Sequence, residues 1–187
     1  MVHRRFVLQA LAAVLLPAKS ERLFAQAIVR TQPIDPFGQE ITLAERPIVY
    51  ASGTGEWETA YETLTAAFRV AHAYFDEKRL RPSGPAMTIY TAMDDTSFNF
   101  QAAIPVSRLP ESPSQQNMRM GKSPGGKALK FVHRGSFKDM TNTYDEISHY
   151  VEDQQLAAKE LLIEEYVTDL LTTPADRLVV NIFVPLE

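Results

Sequence analysis

The residues LIEEYVTDLLTTPADRLVVNIFVPLE, 162–187, decide the fold. Leu162, Glu164 and Tyr166 alternate with Ile163, Glu165 and Val167, and at the two-residue period of a strand each set shares one sheet face. A carboxylate and a phenol, Glu164 and Tyr166, therefore stand side by side. Thr172, Thr173 and Pro174 mark a turn, and 178–184 is a β-branched run stopped by Pro185, which has no N–H to extend a ladder. The stretch reads as a hairpin with an acidic first strand. Glu164 is either a solvated strand residue or the polar anchor of a pocket.

Upstream of the hairpin, 128–133 is strand-like and Gly135 makes a turn. Phe137, Met140, Tyr144, Ile147 and Val151 then recur at helical spacing as far as Asp153. Residues 107–126 are rich in Pro, Gly, Ser, Gln and Asn, a composition that buries little apolar surface, and read as a long connecting loop. Before the loop the same order of elements has already run once. Residues 47–52 are β-type and end at Gly53 and Gly55. Trp57, Ala60, Tyr61, Leu64, Ala67, Phe68, Ala71 and Phe75 form a helical stripe, and 87–91 and 97–106 are strands around an Asp94-Asp95 turn. Gly53 with Trp57 matches Gly135 with Phe137 in role. Thr88-Ile89-Tyr90 matches Glu164-Glu165-Tyr166, and Ala103-Ile104-Pro105-Val106 matches Phe183-Val184-Pro185-Leu186.

The chain is thus an internal duplication of a strand-helix-hairpin unit, with repeat one at 45–106, a loop at 107–127 and repeat two at 128–187. The expected fold is α+β: an antiparallel sheet with helices on one face and a central cleft along the pseudo-dyad. Residues 28–44, broken by Pro33, Pro36 and Gly38, form a lead-in in which 40–43 could pair as a short edge strand.

The amino terminus carries His3, Arg4 and Arg5, an apolar run at 6–16 and a small-x-small site at Ala25-Gln26-Ala27. This reads as a signal peptide spanning 1–27, and so as a periplasmic or secreted protein. The apolar run is short for a membrane span, and no stable membrane association is expected after cleavage; a disordered leader and an uncleaved anchor are the alternatives. Arg4-Arg5 only loosely approximates a twin-arginine signal, which leaves the export route open.

Composition bounds the function. Of 187 residues, 45% are hydrophobic and 22% charged, enough for one domain with a real core. A net charge of −4 argues against phosphate-backbone affinity, so no nucleic-acid partner is expected. With no cysteine there is neither a disulfide nor a thiol nucleophile. His72, His133 and His149 show no recognised metal-ligand spacing, and neither a metal nor another cofactor is expected.

The duplicated unit, the GPAMTIY and AAIPV strands, the HRGSF turn and the E-x-Y followed by TTPADRLVVNIFVPL resemble the GyrI-like small-molecule-binding domain. That domain also serves as the effector-binding domain of bacterial AraC-type and MerR-type regulators. The resemblance covers about 45–187 and implies two SHS2-type units around a cleft for amphipathic, often cationic aromatic molecules. By motif it implies that Glu164 meets the ligand's charge and that Tyr166 lines the cleft. The chain departs from the family in carrying Asp169-Leu170 where Asp-Pro is frequent. No helix-turn-helix segment precedes the domain, which argues against a DNA-binding regulator.

The ligand-binding candidates are Glu164, Tyr166, Tyr90 and Trp57. A carboxylate on a sheet face between two units is desolvated and needs a compensating charge, which a cationic ligand supplies. Aromatic walls add about 0.5–2 kcal/mol each through cation–π contact. Tyr90 sits where repeat two has Tyr166, but a buried tyrosine with a satisfied hydroxyl is equally a core residue. Trp57, Phe98 and Phe100 are open to the same plain reading. The expected function is an exported, stand-alone small-molecule binder. The alternatives are a structural partner-binding domain whose cleft is filled by its own side chains, and a hydrolase of the cyclopropanoid-opening GyrI-like type. In the hydrolase Glu164 is general base and Tyr166 a proton donor.

Overall fold

The computed structural model describes residues 36–110 and 118–187, so the expected signal peptide lies outside the described residues. Ten elements follow in chain order: β1 (Gln39–Leu43), β2 (Pro47–Glu56), α1 (Ala60–Lys78), β3 (Met87–Met93), β4 (Ser97–Pro105), β5 (Met118–Lys122), β6 (Gly126–Gly135), α2 (Met140–Asp153), β7 (Leu162–Tyr166) and β8 (Leu178–Pro185). A single 3-10 turn leads into each helix, Trp57–Thr59 before α1 and Phe137–Asp139 before α2.

All eight strands join one antiparallel sheet in the order β1-β6-β8-β7-β3-β4-β2-β5. The order is symmetric about the β7–β3 pair. Thr88 lies opposite Glu164, flanked by Met87 opposite Glu165 and Ile89 opposite Ile163. If Thr88 and Glu164 are equivalent by duplication, these flanking pairs exchange under a two-fold rotation. The pseudo-dyad therefore passes through the Thr88–Glu164 pair.

Each repeat has four strands rather than the three read from sequence, and the fourth is exchanged. β1 leads directly into β2 yet pairs with β6, while β5 leads directly into β6 yet pairs with β2. The expectation that 107–127 is all connecting loop is accordingly corrected: Met118–Lys122 is β5. Met118 and Met120 alternate with Arg119 and Gly121, and Met118 is buried among Val49, Tyr74 and Phe75. That period-two pattern is short and flanked by Gly and Pro, so composition hid it. At the other end of the sheet, the edge strand expected within 40–43 is β1, which places the end of the 28–44 lead-in within the sheet.

β2 also continues through Gly53 and Gly55, which sequence read as its end. A Cβ on Gly53 would lie 2.7 Å from the Phe100 ring, and one on Gly55 2.6 Å from the Phe98 ring. The glycines are in the strand because two aromatic rings lie across it.

Both helices cover the same face. Leu64 and Phe68 of α1 and Met140 and Ile147 of α2 share one core with Phe98, Phe100, Phe131, Val180 and Ile182. Alternation then puts Ile48, Met87, Ile89, Ala103, Ile163 and Phe183 on the opposite face, where they form a separate buried cluster.

Candidate functional site

β7 carries adjacent glutamates, and strand alternation sends them to opposite faces. Glu165 goes outward. It accepts 2.6 Å from the Arg46 guanidinium and 3.2 Å from Asn181 Nδ2, so its charge is met locally. Glu164 goes inward beneath the helices and is 1% exposed.

Among the described residues, no cation meets Glu164 there. Its Oε1 accepts from the Tyr144 hydroxyl and its Oε2 accepts from the Tyr166 hydroxyl at 2.6 Å. The Tyr166 oxygen is in turn 2.8 Å from Thr88 Oγ1, which joins both members of the dyad pair in one network. Tyr90, 1% exposed, adds a third buried phenol whose ionisation the Glu164 charge opposes.

Burial pushes the Glu164 carboxyl above the usual carboxylate range, and hydrogen bonds from the tyrosine hydroxyls oppose that shift only in part. Burial first, and the Glu164 charge second, push the Tyr90, Tyr144 and Tyr166 phenols well above their ordinary value. The phenols therefore remain protonated donors. The cluster is a desolvated acid held by neutral groups, an arrangement suited to receiving a positive charge.

Three of the four residues singled out from sequence, Glu164, Tyr166 and Tyr90, converge here. Trp57 packs on Tyr90 and Phe98, with centroids 5.6 and 4.5 Å away, and its Nε1–H donates to the Asp94 carbonyl. It backs the Tyr90 side of the site. Phe98 and Phe100 are buried core residues. Tyr61 of α1 meets Phe137 at 5.1 Å, tying the start of α1 to the turn that leads into α2.

Sequence reasoning missed Tyr144. Its signal was its place in the duplication: seven residues beyond Phe137, it stands where Leu64 stands seven beyond Trp57. A phenol in an otherwise apolar helical stripe is a polar group awaiting a partner.

His133 is buried beside this machinery. Its Nε2 faces the Ser136 carbonyl at 3.0 Å, so that nitrogen carries the proton and Nδ1 accepts from the Thr143 hydroxyl at 2.8 Å. The imidazole pins the turn into α2 one residue before Tyr144. Among the described residues, no group of His, Asp and Glu side chains could hold a metal ion.

The profile of the GyrI-like small molecule binding domain matches residues 39–187. The chain belongs to the GyrI-like family. The match begins at β1, so it includes the exchanged strand that lay outside the expected boundary at 45. Among curated proteins, none matches the chain in sequence.

Solved structures share the fold at low identity. EcmrR in its DNA complex superposes with a TM-score of 0.68 at 14% identity, over 80% of this chain and 57% of EcmrR. The chain thus spans little more than half of that protein. SAV2435 bound to tetraphenylphosphonium gives 0.59 at 15% identity, over 81% of this chain and 94% of SAV2435. A hydrolase from Listeria innocua gives 0.55 at 12% identity, over 81% and 92%.

Proposed function

We propose that this GyrI-like protein is an exported receptor for small amphipathic cations, in which Glu164 anchors the positive charge and the tyrosines supply aromatic walls. One observation carries the reading: a carboxylate that is 1% exposed is held, among the described residues, by phenol hydroxyls, while its neighbour Glu165 is ion-paired. Leaving such a charge buried without a counter-charge costs several kcal/mol, of order 3–5, unless it protonates or finds a cation. The bound tetraphenylphosphonium of SAV2435 supports this class of ligand. A ligand must displace the Tyr144 or Tyr166 hydroxyl to reach the acid.

Calorimetry with tetraphenylphosphonium, and with neutral triphenylphosphine oxide as its counterpart, tests the reading. Wild-type protein should bind the cation at least about tenfold more tightly, and Glu164→Gln should erase that preference, a difference of ~1.4 kcal/mol or more. Equal binding of both compounds by the wild type would refute it. Because the acid titrates above the ordinary range, cation affinity should also fall as pH drops through its titration.

The hydrogen-bonded Glu164–Tyr166 pair supports a second reading as the base and proton donor of a hydrolase. Turnover of a strained electrophile that survives Glu164→Gln would end it. The basic residues 3–5 and the apolar run at 6–16 support export. Fractionation and amino-terminal sequencing should find the mature protein outside the cytoplasm, beginning at residue 28. Net charge gives no reason to assign a nucleic-acid role.

A further inference from the structure

We infer that the hollow beside Tyr166 is a second binding site, separate from Glu164, for a single aromatic ring bearing a protonated amine. Its volume is about 240 Å3. An apolar cavity of ~150 Å3 accepts one benzene, while drug-sized ligands occupy ~300 Å3 or more. The hollow therefore suits one substituted ring. Phe68 of α1, Ile104 of β4, and Leu170 and Leu171 beyond β7 supply its apolar walls.

A carboxylate stands in the same lining. Asp169 Oδ1 accepts from the Leu171 N–H at 2.7 Å and the Thr172 N–H at 3.1 Å, while Oδ2 takes no part in this cap. The acid is thus fixed by its own turn rather than left to sweep through solvent. A fixed carboxylate at the edge of an apolar hollow selects a ring with a cationic arm.

Tyr166 separates the two sites. Its hydroxyl is committed to Glu164, its ring packs edge-on to Phe68 at 5.5 Å, and it lines the hollow, whereas Glu164 does not.

Benzylammonium is a suitable probe, with neutral benzyl alcohol beside it, followed through the ring signals of labelled Phe and Tyr on the full chain. Benzylammonium should shift Phe68 and Tyr166 saturably and bind about fivefold more tightly than the alcohol, the scale of one exposed ion pair. Asp169→Asn should abolish that preference. Val167→Trp obstructs the hollow from an exposed lining position, 51% exposed, and Ala86→Leu fills it from within. Both should abolish the shifts while Glu164→Gln retains them. Shifts that persist in a folded Val167→Trp or Ala86→Leu protein, or that vanish in Glu164→Gln, would overturn the assignment. Equal affinity for the two probes would overturn the amine requirement.

Discussion

At the scale of single residues, Glu164 is under tension between burial and its hydrogen bonds. Burial raises its pKa, so the folded state binds a proton more readily than the unfolded chain does. The resulting stability is fully present below the unfolded value of 4.5 and is lost as pH rises through the folded pKa. Urea titrations across that window should show stability falling with pH in the wild type and a flatter profile in Glu164→Gln. Tyr144→Phe should push the acid in the same direction as burial does. It removes one donor to the carboxylate at a cost of ~1.5–3 kcal/mol when the acid is charged. The Glu164 titration, followed by carboxyl NMR, should consequently move further up. The shared strand face of Glu164 and Tyr166 was legible in the sequence because period-two alternation needs only neighbours along the chain, and the resemblance to the family's E-x-Y motif marked them as site residues. Tyr144 was not, because its partner lies 20 residues away across a helix–sheet interface.

At the scale of elements, β2 shows how packing overrides local signals. Gly53 and Gly55 look like punctuation in sequence, yet the strand runs through them because the Phe100 and Phe98 rings occupy the space of their missing side chains. Gly53→Ala and Gly55→Ala should each cost ~1–3 kcal/mol by forcing an aromatic ring off its seat. Gly121→Ala, whose new Cβ would meet the Tyr50 ring at 3.3 Å, should cost less. Chemical denaturation of the three variants checks the ranking. The helices were legible because their apolar stripes are long and regular. β5 was not: five residues with two inward methionines are too few to stand out against a Gly- and Pro-rich surround.

At the scale of the whole molecule, the exchanged edge strands bind the two repeats more firmly than the central β7–β3 pairing alone would. β1 closes the sheet beside β6 of the other repeat, and β5 closes it beside β2. A protein truncated to begin at residue 45 loses the β1 ladder and the cover from Ile41 and Leu43. Half-burying two such side chains contributes ~2 kcal/mol, and the truncation should lower the urea midpoint accordingly. Hydrogen exchange should speed first in β6, its partner in the sheet, and not in β2, which only follows β1 in the chain. Equal exchange in β6 with and without β1 would count against the exchange as a stabilising feature.

Alternation, helical periodicity and internal likeness were enough to establish an α+β duplication and to set Glu164 beside Tyr166 on one strand face, because each depends on residues close in sequence or on comparison of two copies; it was the resemblance to the GyrI-like family that singled Glu164 out. The tertiary structure alone decided which repeat each edge strand joins, that Thr88 and Glu164 face each other on the pseudo-dyad, and that Tyr144 completes the carboxylate's shell. These features depend on chain reversal and on the packing of α2 over β7. Burial then sets the chemistry: the same carboxylate in water is an ordinary solvated charge, and beneath the helices it is a desolvated acid that accepts hydrogen bonds from neutral tyrosine hydroxyls.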